Sequence, residues 1–455
     1  MIWDVGGISW LLSLIQIKDA LYFLPLALGW EDDEDHVRAL ASVTVARVRQ
    51  QANVGVLADA IADEGFCRHV VKAIGTGRSV PTASGQLRFT RTRAYAKLAG
   101  DELATLQLGP LHTQSTNTSV QLGDRLFLKC YRRLRAGMNP EFEIGRFLTE
   151  QAHFPHCVPL AGAVEYVPKT GEPSTLALLQ GYVPNQGDGW SYTLAYIERF
   201  LELSPQKEPH GGYLALVQTL ATRTGELHRA FAIRSGDPAF EPEPIDAQDV
   251  EAWKAKVRQE AEQTFSLLQK NEKAQPLLAR RAEILALIDA CAAPKGAGLK
   301  TRHHGDYHLG QVLIANNDFV IIDFEGEPSR PLADTRRKHS PLRDVAGMLR
   351  SFSYAKWSAR NRYVSGLTGG QAAVTSDKDA ALDTWEAEVR RAFLKAYAQA
   401  TRDSGLYASF DDVTGLLMLF ELEKVLYELR YEINNRPNWM HVPLSGVLGM
   451  LGGKK

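Results

Sequence analysis

Cysteine is scarce in this chain: four in 455 residues (Cys67, Cys130, Cys157, Cys291), far apart and without a CxxC pair. So sparse a set excludes a disulfide framework, and a reducing compartment, the cytoplasm, is the expected setting. A charge surplus is lacking too, since 52 basic residues meet 53 acidic ones for a net charge of −1. That balance gives no electrostatic case for a nucleic-acid or anionic-membrane partner. Long hydrophobic runs are missing. WLLSLIQI and LYFLPLALGW are separated by Lys18 and Asp19, and each is too short to span a bilayer. Asp4 stands where a signal peptide would carry positive charge. Two buried strands joined by a turn are expected there, not an anchor. There is no internal repeat, no low-complexity tract and no GxGxxG loop.

What is present is ordinary globular material, 45% hydrophobic and 23% charged. Its length suggests two or three lobes. Residues 1–95 read as a small α/β cap. Its expected strands are ISWLLSLIQI, LYFLPLALGW and HVRALASVTVARV, and VGVLADAIADEGFCRHVVKAI has helical spacing. Residues 96–185 read as a β-rich lobe. Alternation around Arg125–Lys129 puts Lys129 on a strand, and VPLAGAVEYV and STLALLQGYV are further strands. NPEFEIGRFLTEQ reads as a helix with Asn139 as N-cap and Pro140 in the first turn. Residues 186–455 have long amphipathic stretches and form a helical lobe, with a hairpin QVLIAN/NDFVIIDFE turning at Asn316-Asn317. The expected class is therefore α+β, a β-rich lobe followed by a helical one, with a cap before both.

The segment HHGDYHLGQVL (303–313) and the DFEGE that follows carry the chemistry. Phosphoryl transfer from a nucleotide needs a carboxylate at the attacking hydroxyl, oxygen ligands for Mg²⁺, and a Lys on the donor phosphates placed by a Glu. Protein-kinase-like enzymes space the base Asp and a metal-binding amide five residues apart and deliver the second metal Asp from the next hairpin. Asp306 and Gln311 have that spacing, and Asp323 closes the run Phe319–Ile322. Asp323 and the Gln311 side-chain oxygen suit a hard cation, with Glu325 as an extra acceptor. Upstream, Lys129 precedes a helix carrying Glu141 and Glu143. The run Gln114-Ser115-Thr116-Asn117-Thr118-Ser119 stands where a phosphate-covering loop belongs, offering hydroxyls and N–H groups. Each part alone is weak; the order and element types together are what point to a bilobal, protein-kinase-like fold.

At these residues the chain resembles the bacterial maltokinases, also found fused to the end of trehalose synthases. The matching segments are QSTNTSVQLGDRLFLKCYRRLRAGMNPEFEIGRFLTE, LLQGYVPNQGDGW, HHGDYHLGQVL, DFEGEPSRPLADTRRKHSPLRDVAGMLRSF and YELRYEINNRP, spread over 114–437. The resemblance implies transfer of the terminal phosphate of ATP to the anomeric hydroxyl of maltose, giving maltose 1-phosphate for α-glucan synthesis. It implies Asp306 as base and Gln311 and Asp323 as Mg²⁺ ligands. Lys129 would lie on the α/β-phosphates, paired with Glu143 ahead of Glu141. Ser115, Asn117, Thr118 and Ser119 would contact phosphate, and the hinge Gln180–Val183, with Tyr182, would meet adenine. Sugar contacts are expected from His304, Arg330, Lys424, Tyr431 and Glu432, because disaccharide hydroxyls want planar polar groups and an aromatic face. Helix packing of Tyr427 on Tyr431 at i, i+4 is the competing reading of that pair. Asp344 is expected to tie a helix to the catalytic loop. Family members carry a longer cap, so its first helix is expected to be absent from this chain.

Two alternatives stand beside the maltose reading. One is an amino-sugar relative on the same scaffold, such as a glucosamine kinase. The other is a non-catalytic partner of a trehalose synthase. The second would be favoured by loss of the base, the metal ligands or the Lys, and none is lost. An aminoglycoside kinase is disfavoured, because DFEGEPSRP and YELRYEINNRP set Arg beside Glu instead of a purely acidic lining.

Overall fold

The computed structural model describes residues 1–5, 7–100, 105–113, 117–203, 210–294, 296, 298–327, 330–366 and 376–452. Two compact units emerge, Met1–Pro184 with Arg330–Asp334, and Asn185–Ser329 with Thr335–Lys455. The expected cap and β-rich lobe fall together in the first unit.

The first unit holds two antiparallel sheets. One contains β1 (Ile2–Val5), β2 (Ile8–Ile17), β3 (Ala20–Trp30), β4 (Thr44–Gln50) and β5 (Asn53–Asp59), in the order β1-β2-β3-β5-β4. The other contains β6 (Ser79–Thr82), β7 (Gly85–Arg91), β8 (Leu108–His112), β9 (Asn117–Leu122), β10 (Leu126–Tyr131), a short β11 (Arg133–Leu134) that instead joins β3, β12 (Leu160–Pro168) and β13 (Ser174–Gly181). Its order is β6-β7-β12-β13-β10-β9-β8. Helices α1 (Glu34–Leu40), α2 (Glu64–Thr76), α3 (Tyr95–Ala99) and α4 (Pro140–Glu150) complete the unit. One core serves both sheets: Trp3, Trp10, Phe66 and Phe89 meet with ring centroids 5.7–6.0 Å apart.

Three local expectations are corrected. HVRAL is helical, not a strand, because Asp33 caps α1 by accepting from the His36 N–H at 3.1 Å. VGVLAD is a strand, not helix, because pairing with β3 and β4 on its two sides satisfies its backbone. β2 buries only Trp10 and Leu12; Ile8, Leu11, Leu14, Ile15 and Ile17 are exposed. It is a one-faced strand, as antiparallel sheets allow. The four cysteines are free and buried, and burial pushes the Cys130 and Cys157 thiols up to about 12.

The second unit is built from helices α5 (Gly189–Glu202), α6 (Gly211–Phe231), α7 (Ala247–Leu268), α8 (Gln275–Leu278), α9 (Arg281–Ala290), α11 (Leu342–Gly366), α12 (Ser376–Ala400), α13 (Thr414–Asn435) and α14 (His441–Met450). A four-residue α10 (Leu332–Thr335) precedes α11. The two-residue strands β14 (Glu243–Pro244) and β15 (Leu299–Lys300) pair with each other. Strands β16 (Val312–Ala315) and β17 (Asp318–Ile321) form the expected hairpin. Asn316 and Asn317 make its turn with φ of 54° and 60°, the left-handed conformation a two-residue hairpin turn requires. Among the described residues no helix is long and apolar enough to cross a membrane.

Candidate active site

In the first unit, Lys129 lies on β10 directly across from Ser119 on β9. Alternation turns Asn117, Ser119 and Gln121 away from the buried face that carries Thr118, Val120 and Leu122. The Lys129 ammonium donates to Glu141 Oε2 at 2.7 Å. Tyr131 Oη donates to the same oxygen at 2.6 Å, and Gln180 Nε2 to Glu141 Oε1 at 3.0 Å. Glu141 is 2% exposed, so these three donors supply what water would have given it. Glu141 is thus a carboxylate partner of Lys129, where the resemblance put Glu143 first. The two stand in the first turn of α4, two residues and about 200° of helix rotation apart.

Three further expectations for the nucleotide side change. Thr118 faces the interior, and its hydroxyl accepts from Arg132 Nε at 2.9 Å, so it is a structural group. Gln180 belongs to β13, where its backbone pairs with Phe127 and Leu160 and its side chain holds Glu141. The Tyr182 N–H donates to the Arg125 carbonyl at 2.8 Å. Of the expected hinge, Val183 follows the strand. Ser115 lies outside the described residues.

In the second unit, the loop from His304 to Gln311 is fastened from below by Asp344 on α11. The His304 N–H donates to Asp344 Oδ2 at 2.7 Å and the Gly305 N–H to Oδ1 at 2.9 Å. Gly305 has φ 87°, which lets successive amides converge on one carboxylate. Gly347 has the same purpose by another route: a Cβ there would sit 2.6 Å from the Tyr307 carbonyl, so its absence lets α11 run against the loop. His228 on α6 adds a third bond to Asp344, from Nε2 at 3.3 Å, while its Nδ1 accepts from Tyr397 Oη at 2.8 Å. Burial pushes the Asp344 carboxyl up, but the His228 hydrogen bond and the nearby imidazoles outweigh it and hold it well below the carboxylate range.

Asp306 has a different setting. Among the described residues nothing hydrogen-bonds its carboxylate. Lys424 Nζ approaches to 3.9 Å and His308 Nε2 to 4.0 Å. Gly310 donates to His308 Nδ1 at 3.0 Å, which leaves the ring proton on Nε2, toward Asp306. Burial pulls the His308 pKa down and Asp306 only partly offsets this, so the imidazole favours its neutral form. Five residues on, Gln311 Nε2 donates to Asp323 Oδ2 at 3.0 Å. Asp323 has φ 66°, a left-handed conformation costly for a residue with a Cβ and typical of functional positions. Ile322 N–H closes the hairpin onto the Gln311 carbonyl at 3.0 Å. Asp323 and Glu325 carboxylate oxygens come within 4.8 Å of each other. The Gln311 side-chain oxygen and these two carboxylates are the hard donors a Mg²⁺ ion takes, so the residues fit that ion.

Beside Asp306 opens a cavity of about 530 Å³. Both groups that approach Asp306, His308 and Lys424, are in its wall. Trp190, Tyr354 and Trp439 give it aromatic surface, and Asp188, Glu428, Arg350 and Arg436 give it charge. Of the expected sugar contacts only Lys424 lines it. His304 is 1% exposed and donates Nε2–H to the Ile322 carbonyl at 2.8 Å, bracing the hairpin. Glu432 is fully buried behind the wall, accepting from Arg436 at 2.6 and 3.0 Å and from Tyr354 Oη at 3.1 Å. Tyr431 is 44% exposed and stacks on Tyr427 at 6.5 Å, the packing alternative. Arg330 belongs to the first unit, where its carbonyl accepts from Arg135. Beyond His308 and Gly310 of the loop, the wall residues not anticipated come from α5, α11 and the run formed by α13 and the 436–439 turn, three stretches distant in sequence. Their one legible signal was the spacing of Lys424 and Glu428, i and i+4 on one helix face.

This geometry can be set against known proteins. A model of the phosphotransferase enzyme family matches residues 107–408. The chain belongs to that family. Among curated phosphotransferases it is 27% identical over 400 residues to a glucosamine kinase of Streptacidiphilus jiangxiensis, covering 85% of this chain and 81% of that one. It is also 27% identical over 348 residues to a glucosamine kinase of Mycolicibacterium smegmatis, covering 75% and 79%. A solved glucosamine kinase in complex with glucosamine, ADP and inorganic phosphate superposes with a TM-score of 0.69 at 20% identity, over 99% of this chain and 93% of that one. The phosphotransferase thus has the protein-kinase-like α+β fold.

Proposed function

We propose that this phosphotransferase is an ATP-dependent sugar kinase whose acceptor hydroxyl is deprotonated by Asp306. The reading rests on one observation above the others: an aspartate whose carboxylate receives no hydrogen bond among the described residues, with His308 and Lys424 of the cavity wall beside it, five residues before the amide that holds Asp323. A carboxylate left open in this way can accept a proton from a bound hydroxyl. Lys129, placed by Glu141, binds the α/β-phosphates, and Asn117 and Ser119 offer amide and hydroxyl contacts. Gln311, Asp323 and Glu325 hold Mg²⁺, which when bound neutralises phosphate charge. Lys424 and His308 orient the acceptor against Asp306.

For the acceptor, the cavity supports maltose. Both carboxylates in its wall are engaged: Asp188 accepts from Ser191 N–H at 2.7 Å and Ser191 Oγ at 3.1 Å, and Glu428 lies 2.8 Å from Arg350. A cationic amino sugar would need one of them to itself, whereas a neutral sugar needs only hydroxyl partners and aromatic faces. On this reading a trehalose synthase is the partner that supplies maltose. Glucosamine is the second reading, favoured by the names of the relatives. The test is Mg²⁺-dependent ATP consumption with maltose, glucose, glucosamine, trehalose and an aminoglycoside, followed by phosphorus–proton NMR of the product. Phosphate on the anomeric oxygen of maltose supports the first reading. Turnover on glucosamine alone replaces the acceptor and keeps Asp306. ATP binding without turnover on any sugar overturns the kinase reading.

A further inference from the structure

The sheet of β1 to β5 is packed on one side only. Trp10, Leu12, Phe23 and Ala27 enter the core of the first unit. Strand alternation sends Leu11, Ile15 and Ile17 of β2 to the opposite side, where they are 39%, 37% and 54% exposed. Residues directly opposite each other in an antiparallel ladder share a face. The register therefore sets Ile2 on one flank of Leu11 and Leu26 on the other, and continues from Leu28 to Leu57. Neither Leu26 nor Leu28 belongs to the core beneath. Solvated sheet faces are ordinarily polar, and exposed strands are usually guarded by charged side chains. On this face the β2 positions between the apolar ones carry only Ser9 and Ser13.

Charge without an ion-pair partner stands at two diagonal corners. Asp4, across from Ser9 and accepting from its hydroxyl, is exposed at one. Arg133 of β11 is exposed at the other, across from Tyr22, which itself faces Ile15. Neither makes an ion pair among the described residues, whereas Asp59, opposite Leu26, is already held by Arg132. An apolar field with an acid at one corner and a base at the diagonal corner is complementary to itself. A two-fold rotation lays apolar surface on apolar surface and brings each Asp4 to the partner's Arg133.

We propose that this outer sheet face is the interface of a homodimer, its occupant being the same face of a second copy of this chain. Two antiparallel sheets stacked through apolar faces are the packing of a β-sandwich, here made between copies.

The test is sedimentation of the full chain over a wide concentration range, without nucleotide or sugar, so it is independent of the kinase reading. A monomer–dimer equilibrium is expected. Leu11→Glu, which puts charge into the apolar field, should raise the dimer dissociation constant at least about tenfold. Asp4→Arg and Arg133→Asp each set like charges together twice per dimer and should raise it about fivefold. The double variant Asp4→Arg/Arg133→Asp should return it to within about twofold of the wild type, which damage to the fold would not do. All three positions are exposed, and an unchanged thermal unfolding of each variant at low concentration checks that the fold is kept. A chain that is monomeric at every concentration overturns the proposal and leaves the face to a different protein. A dimer that survives Leu11→Glu, or a double variant no better than the single ones, overturns it as well. So does assembly that grows beyond two copies, since that is the mark of a head-to-tail contact.

Discussion

Glu141 and Asp306 are both carboxylates held at fixed positions, one in each unit, yet their surroundings are opposite. Glu141 is buried and receives Lys129, Tyr131 and Gln180. Asp306 has an ammonium and an imidazole near 4 Å and, among the described residues, no hydrogen bond to its carboxylate. A carboxylate whose lone pairs are taken is a strut that fixes its neighbours. One whose lone pairs are open beside a cavity is available to a substrate proton. Asp344 falls with Glu141 by this criterion, since two amides and an imidazole occupy it. The contrast separates positioning from proton transfer without reference to sequence motifs.

The contrast can be broken most sharply at Asp306. Asp306→Asn is expected to lower kcat by about 10³-fold while ATP affinity stays within about twofold, as removal of a general base should. Single-turnover kinetics with a nucleotide-binding titration would decide it, and near-normal turnover would remove Asp306 from the mechanism.

Asp344 is the next largest. Asp344→Asn should cost about 3 kcal/mol of stability, because it takes charge from three hydrogen bonds in a buried site. It should lower kcat as the loop loosens. Because the folded pKa is depressed, this stabilisation is complete above the unfolded value near 3.8 and is lost as pH falls further. Denaturant unfolding followed from pH 5 to pH 2 should therefore fall more steeply for the wild type than for the variant. Parallel curves would mean that Asp344 is not the group responsible.

Glu141→Gln should raise the ATP KM by about tenfold or more by releasing Lys129, and should exceed Glu143→Gln, its neighbour in the same helical turn. Steady-state kinetics of the two variants side by side would reverse the assignment if Glu143 gave the larger effect. The smallest change is expected at the sugar side. Trp439→Ala should raise the acceptor KM about five- to tenfold, and Tyr431→Ala less than twofold, because only the former lines the cavity. Equal effects would redraw the cavity wall.

Much of the candidate site was readable because it is local in the chain. Asp306, Gln311 and Asp323 lie within 18 residues, and the Asn-Asn turn and the alternating Val and Ile around it specify a hairpin whatever else surrounds them. The strand at Lys129 and the N-cap at Asn139 were legible for the same reason. Misreadings occurred where partners override local pattern. VGVLAD pairs on both edges, and HVRAL is started by a cap the apolar spacing did not show. His304 and Glu432 resembled ligands in sequence because burial is not visible there.

The sequence by itself determined the element types around the candidate catalytic loop and the order of Lys, Glu, Asp, amide and Asp. These follow from periodicity, capping and spacing, which act over a few residues. The tertiary structure decided that Glu141 holds Lys129, that no hydrogen bond among the described residues reaches the Asp306 carboxylate, and that Trp190, Arg350, Glu428 and Trp439 share one cavity. Those outcomes depend on helix rotation and on packing between segments more than two hundred residues apart, and no local rule carries that information.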